Sequence, residues 1–225
     1  MANECGFSGT RILLTRHGET HWNRIRRFQG RSDLPLNAAG RKQAHALALA
    51  LKDEPLSAIY SSPLIRAMET ARFIKVFHPS VPLFHEAGLV EMDLGDFEGL
   101  EARHWATKYP DFLKAWQARP ASVKMPGGES LSEVQIRALD ALERITRLHP
   151  PQSTLLLCCH NFVNLTILCY ALGIPLDRFR EIRQETATLN ILFMKGKRLR
   201  AEIVNESSHL QRLKEKEDYT DEPAG

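Results

Sequence analysis

Three features of the sequence predict an α/β fold. Twice, an apolar strand-like run passes through a polar turn into a helical pattern, over residues 11–52 and 58–77. Further on, Thr154-Leu155-Leu156-Leu157-Cys158-Cys159 is an uninterrupted apolar run, as expected of a strand covered by helices on both faces. No apolar stretch approaches the eighteen or so residues of a membrane span, so no membrane partner is expected.

The 225 residues are 43% hydrophobic and 25% charged, which suits one domain with a substantial core. The expected organisation is a single domain over 1–210, with a helical excursion at about 100–126 and a flexible polar tail at 211–225. The first residues lack a basic and then apolar leader, so a cytoplasmic location is expected. Cys5, Cys158, Cys159 and Cys169 form neither a disulfide framework nor a zinc spacing. Neighbours on a strand point to opposite faces, so Cys158, Cys159 and His160 are not expected to share a metal. The net charge of +3 identifies no partner. Its distribution is uneven: Arg24, Arg26, Arg27 and Arg31 crowd one loop together with Trp22 and Phe28. That patch reads as the surround of a small-anion pocket in preference to a nucleic-acid track; a solvated loop is the third reading, and the best one for Arg26.

In chain order, residues 11–15 read as a buried strand between Gly9 and Gly18. Its end, Arg16-His17-Gly18, places an imidazole and a guanidinium at a strand's carboxyl end, where open α/β sheets bind ligands. The loop Gln29-Gly30-Arg31-Ser32-Asp33-Leu34-Pro35-Leu36 is punctuated by Gly and Pro. Asn37 is the expected N-cap of a helix over 38–52, along which Gly40, Ala44, Leu47, Ala48 and Leu51 recur. In the second unit, the strand Ala58-Ile59-Tyr60 turns through Ser61-Ser62-Pro63 into a helix, with Pro63 in its first turn and Leu64, Ala67, Ala71, Ile74 and Phe77 along one stripe. Arg66 then stands at a helix N-terminus, where free amides and the dipole favour anions.

A third strand, Pro82-Leu83-Phe84-His85, leads into a loop carrying Glu86, Glu91, Asp93, Asp96 and Glu98. Residues 101–119 read as one or two helices whose Trp105, Tyr109, Phe112 and Trp116 serve core or lid. Ser130 and Glu133 have capping-box spacing, opening a helix that runs to about His149. The apolar strand at 154 delivers His160, and a helix over 162–172 closes at Gly173 and Pro175. Residues 187–193 and 198–204 read as two strands around Lys195-Gly196-Lys197, with Asn190 near the motif loops but not catalytic.

Four separated motifs resemble, in order, those of the histidine phosphatases, the superfamily that includes the phosphoglycerate mutases. They are Arg16-His17-Gly18-Glu19-Thr20; Ser61-Ser62-Pro63 with Arg66-Ala67 and Thr70-Ala71; Glu91 ahead of a Gly-x-x-Glu-Gly pattern at Gly95 to Gly99; and His160. Gly127-Gly128-Glu129-Ser130 fits as well. The likeness spans about residues 11–204 and departs at Asn161, where glycine is usual; asparagine retains its amide and adds a side-chain donor. It implies a three-layer α/β/α sandwich with a mostly parallel central sheet and a phosphate pocket at the strands' carboxyl ends.

The resemblance also implies roles: His17 as nucleophile, Arg16, Arg66 and His160 around the phosphoryl oxygens, and Glu91 as proton donor. Composition does not distinguish Glu91 from its acidic neighbours, for which solvation, capping or a structural hydrogen bond is expected. Asn23, Gln29, Gly30 and Asn161 are the expected substrate-binding residues. A nucleophilic imidazole must be neutral, which like charge from two guanidiniums favours. Fixed guanidiniums also stabilise a transferring phosphoryl group, so neither metal nor cofactor is expected. The reaction implied is hydrolysis of small phosphomonoesters through phospho-His17. A cofactor-dependent phosphoglycerate mutase is the alternative, and a phosphate-recognising module without turnover a more distant one. The compact stretch before Gly127 favours hydrolysis, and the intact Arg16, His17, Arg66, Glu91 and His160 argue against the module. Oligomeric state stays open, a homodimer included.

Overall fold

The computed structural model describes residues 9–211 and 213; Cys5 and nearly all of the tail expected at 211–225 lie outside the described residues. Six strands form one sheet: β1 (Thr10–Arg16), β2 (Leu56–Ser61), β3 (Leu83–His85), β4 (Thr154–Cys159), β5 (Leu189–Lys195) and β6 (Arg198–Glu206), in the order β3-β2-β4-β1-β5-β6. β1, β2, β3 and β4 pair in parallel, β5 lies antiparallel to β1, and β6 antiparallel to β5, so β5 alone opposes the rest. The helices are α1 (His21–Arg24), α2 (Ala38–Ala50), α3 (Ile65–Lys75), α4 (Ala102–Lys108), α5 (Pro110–Ala118), α6 (Leu131–Arg147) and α7 (Asn161–Leu172). None of the described helices is long and apolar enough to cross a membrane.

Period-two alternation divides the core into two layers. Leu13, Ile59, Leu156 and Cys158 face Leu47 and Ala48 of α2 and Ala71 and Ile74 of α3. Ile12, Leu14, Ala58, Tyr60, Leu155, Leu157 and Cys159 face the other way, onto α6, α7 and Trp116 of α5. The three-layer, mostly parallel architecture is therefore present, and Cys158 and Cys159 point to opposite faces as expected.

Several boundaries move for identifiable reasons. Pro63 precedes α3 and is not in its first turn: Leu64 is the N-cap, extended at ψ 135°. Its N–H donates to Ser62 Oγ, and Asp33 Oδ1, reaching across from the Gly-Pro loop, accepts from Ile65 N at 2.7 Å, completing the cap that Leu64 cannot make. His160 is not the last residue of a strand but the N-cap of α7, while Gly173 ends that helix at φ +67° as the sequence indicates. The capping box of Ser130 and Glu133 is present, and α6 stops at Arg147. β5 starts only at Leu189, because Ala187, at φ +56°, donates its N–H to both Arg16 O and His17 O across the end of β1.

Candidate active site

β2, β4 and β1 lie side by side, so the residues just beyond their carboxyl ends converge. Sheet hydrogen bonding continues past each end: His17 N donates to Cys159 O and Ser62 N to Cys158 O, both at 3.0 Å. His17 is 2% exposed. Its Nδ1 lies 2.7 Å from Gly18 O, and because a carbonyl only accepts, Nδ1 carries the proton. Nε2 then keeps its lone pair, toward which Arg66 Nε donates at 3.2 Å. Burial first, and then the charges of Arg66 and Arg16, hold the His17 pKa well below 6.5. Like charge, which the sequence suggested as the cause, therefore takes second place to desolvation. The loop is seated by close backbone approach: a Cβ on Gly18 would lie 2.4 Å from Gly40 O in α2.

Arg66 is fully buried, and carbonyls fix its fork, Nη1 donating to Ser32 O and Nη2 to Gly30 O, both at 2.7 Å. Gly30, at φ +52°, makes that turn and leaves no room for a side chain, since a Cβ would stand 2.1 Å from Glu98 Oε1. Glu98 in turn pins the loop, accepting from Arg31 N at 2.6 Å, Ser32 N at 2.8 Å and Ser32 Oγ at 2.7 Å. It thus acts on His17 at two removes, through the loop and Arg66. Glu98→Gln, which turns one acceptor into a donor facing N–H groups, is expected to lower kcat by roughly 10- to 100-fold through misplacement of Arg66. Steady-state kinetics beside a thermal melt check this; a loss of stability with kcat intact would make Glu98 structural only.

Arg16 Nη1 donates to Asn161 Oδ1 at 3.1 Å and to Gln184 O at 2.7 Å. Burial lowers its pKa to about 10, leaving it charged at neutral pH. Gln184 is held by the buried Asn190, whose Nδ2 also donates to Leu14 O at 3.0 Å. Asn190 thus lies near the motif loops as a support. His160, fully buried, has its ring centroid 5.1 Å from that of His17 and its Nε2 2.7 Å from Ser62 Oγ. Ser62 Oγ accepts from Leu64 N and has both a hydrogen and a second lone pair to offer His160 Nε2. His160 Nδ1 and Arg16 Nε are both buried without a partner. The Arg16 Nε–H is a buried donor that an anion's oxygen would satisfy, and so is His160 Nδ1 in the tautomer that carries the proton there.

Glu91 is 6% exposed. Its Oε1 accepts from Met92 N at 2.9 Å and Phe162 N at 3.1 Å, while Oε2 has only a longer bond from Phe162 N at 3.3 Å. Burial raises its pKa, against the opposing pull of these amides and of Arg66 and Arg16. Arg137 fixes the loop by donating to Gly88 O at 2.9 Å and Glu91 O at 3.1 Å, and is itself held by Glu129. Sequence reasoning did not single out Arg137, Ser62 or Gln184. The Gly127-Gly128-Glu129 turn was the one available signal for the first, and Ser62 lay within a quoted motif.

The side-chain oxygens of two expected binding residues, Asn23 and Gln29, are engaged at Thr20. Asn23 Oδ1 accepts from Thr20 N in the capping box of α1, and Gln29 Oε1 lies 2.9 Å from the Thr20 hydroxyl. Within the arginine patch, Arg27 pairs with Glu101 and stacks over Trp22, Arg31 pairs with Asp93 and Glu129, and Arg24 and Arg26 are exposed. The cationic site is built by Arg16 and Arg66.

Both buried imidazoles are neutral in the folded protein, since burial leads in holding His160 as well as His17 well below 6.5. The unfolded chain takes up those protons near pH 6.5, so their contribution is complete above that pH and is lost as pH falls below it. Melting temperature should therefore drop between pH 7.5 and 5.5, above the range of the carboxylates with lowered pKa, Glu101, Glu129, Glu133 and Glu206. His160→Asn should flatten the drop; an unchanged slope in that variant would contradict this assignment.

A neutral, buried imidazole beside fixed guanidiniums, with a carboxyl whose pKa burial raises, suits phosphoryl transfer, which is governed by positioning and charge. Comparison with known proteins agrees. Residues 12–207 match the histidine phosphatase superfamily (branch 1), and the chain belongs to that family. It is 32% identical over 200 residues to phosphoserine phosphatase 1 of Hydrogenobacter thermophilus, covering 89% of this chain and 94% of that one. The solved structure of Bacillus stearothermophilus YhfR superposes with a TM-score of 0.83 at 31% identity, covering 89% of this chain and 99% of that one. The 2,3-bisphosphoglycerate-dependent phosphoglycerate mutase 2 of Gloeobacter violaceus is 34% identical, but over 57% of this chain and 59% of its own. The protein is an enzyme of phosphatase type, and the mutase alternative has the weaker support.

Proposed function

We propose that this protein hydrolyses small phosphomonoesters through a phosphohistidine on His17, without a metal, within a single domain. The observation that carries the reading is the unprotonated His17 Nε2, left as an acceptor by the Nδ1 bond to Gly18 O; the Arg66 Nε–H that it accepts at 3.2 Å passes to a phosphoryl oxygen when Nε2 attacks. Nε2 attacks phosphorus as the ester P–O bond breaks. The departing oxygen takes the proton of Glu91, which we place on Oε2, the carboxyl oxygen with the weaker amide bonding. Arg16, Arg66 and His160, in the tautomer with Ser62 Oγ donating to Nε2 and the proton on Nδ1, hold the three equatorial oxygens as charge develops on them. A water then attacks phospho-His17, giving its proton to the Glu91 carboxylate, and inorganic phosphate leaves with the P–N bond broken. Asn161 acts through Arg16 and Gly30 through Arg66. Three free buried thiols, Cys158, Cys159 and Cys169, support a cytoplasmic setting.

The test is phosphate release from a panel of phosphoserine, 3-phosphoglycerate, sugar phosphates and p-nitrophenyl phosphate in EDTA. Turnover at an undiminished rate is expected. Release that depends on added metal would remove the metal-free mechanism, and conversion of 3- to 2-phosphoglycerate primed by the bisphosphate would establish a mutase instead.

A further inference from the structure

The Gly127-Gly128-Glu129 turn and Arg137 of α6 meet on the loop that carries Glu91, and neither enters the bond changes at His17. Arg137 grips the loop ahead of Glu91 and at it, donating to Gly88 O at 2.9 Å and Glu91 O at 3.1 Å. Glu129 grips it just beyond, its Oε2 accepting from Asp93 N and its own N–H donating to Asp93 O, both at 2.9 Å. The two side chains close on each other: Arg137 Nε donates to Glu129 Oε1 at 2.9 Å and Nη2 to Oε2 at 3.0 Å. The loop is seated on them by close backbone approach. A Cβ on Gly88 would stand 2.6 Å from Ala141 Cβ of α6, and one on Gly128 2.3 Å from Asp93 O.

We propose that Arg137 and Glu129 form a clamp that positions Glu91 for proton transfer, and that Arg137 is a positioning residue of the reaction. The inference rests on the phosphatase reading, in which Glu91 gives its proton to the leaving oxygen. The carboxyl has two amides of its own, Met92 N and Phe162 N. Met92 N moves with the loop, and Phe162 N belongs to α7, so the carboxyl meets α7 only while the loop is held against α6. A displacement of about 1 Å at such a group costs up to about 100-fold in rate. The pair carries this weight in preference to Arg31, which also reaches Glu129 Oε1, at 3.2 Å. The Arg31 side chain is 44% exposed, whereas those of Arg137 and Glu129 are 21% and 17% exposed and bond at both carboxylate oxygens.

The test is Arg137→Lys, which keeps the charge but lacks the planar fork that spans two carbonyls and a carboxylate. Turnover of ethyl phosphate and the burst of p-nitrophenol from p-nitrophenyl phosphate are measured in EDTA, beside a thermal melt. Ethyl phosphate turnover is expected to fall by about 10- to 100-fold, while the burst, which needs no proton from Glu91, changes by less than about threefold. The alkaline limb of ethyl phosphate turnover should also move to lower pH. A loosened loop hydrates Glu91, whose pKa is raised first by burial, while Arg66 and Arg16, which oppose that rise, lie outside the clamp. Gly88→Ala is the second variant: it leaves the ion pair intact, but its methyl must push the loop off Ala141, and the same split is expected at about 3- to 10-fold. It decides the matter if the lysine variant does not fold. Equal losses on both esters, or an ethyl phosphate rate and alkaline limb unchanged in a folded variant, overturn the inference and leave the phosphatase reading standing. No phosphate from either ester with the wild-type protein removes both.

Discussion

His17→Ala is expected to lower turnover by about four orders of magnitude or more and to abolish acid-labile labelling of the protein. The size follows from what His17 supplies. The Nδ1 bond to Gly18 O leaves Nε2 unprotonated, and Arg66 Nε donates to it at 3.2 Å. With no nitrogen at that place, the two-step route through a covalent intermediate is closed, and only a direct attack by water between the same cations remains. Incubation with a labelled phosphomonoester, quenching in base, and counting label before and after acid treatment reads this directly. The alanine leaves a void and an unpaired Arg66 Nε in a buried place, so His17→Asn is measured beside it. Acid-labile label on either folded variant would mean that the nucleophile is another residue.

The parts of the site legible in the sequence were those that one stretch of chain carries by itself. Arg16-His17 and His160 follow apolar runs, and Arg66 follows a turn, so each was placed at a strand end or helix start before any contact was known. What was not legible lies in contacts between distant stretches. The ion pairs of Arg27 and Arg31 could not be read from their own loop, because their acids, Glu101, Asp93 and Glu129, come from remote segments. Gly30 read as punctuation and as a substrate-binding residue, whereas its place in the cradle of Arg66, through its positive φ and its carbonyl, could not be read. Pro63 matched the rule for a first helical turn, but the rule could not anticipate an external cap from Asp33. Desolvation was underrated for the same reason: the charge of Arg66 can be read from one letter, whereas the enclosure of His17 requires the whole fold.

Glu91→Gln is expected to reduce turnover of alkyl phosphates by about 10²- to 10⁴-fold while sparing the phosphorylation step with p-nitrophenyl phosphate. The substitution keeps the side chain's size, and the amide oxygen can still accept from Met92 N and Phe162 N as Oε1 does now. What disappears is the proton, which an alkoxide needs on departure and a nitrophenolate does not. Because the same carboxylate accepts a proton from water in the second step, the burst of p-nitrophenol is the quantity to compare, not the steady state. The pH dependence adds a second readout. Glu91 must be protonated in the first step, and its pKa is raised by burial, so alkyl turnover persists above the ordinary carboxyl range and falls as pH rises through that raised value. The acid limb is set by protonation of His17 and lies well below pH 6.5. In the variant the alkaline limb should vanish from the burst while the acid limb remains. Equal losses on alkyl and nitrophenyl esters, with the wild-type alkaline limb retained, would reduce Glu91 to a structural acceptor for the start of α7.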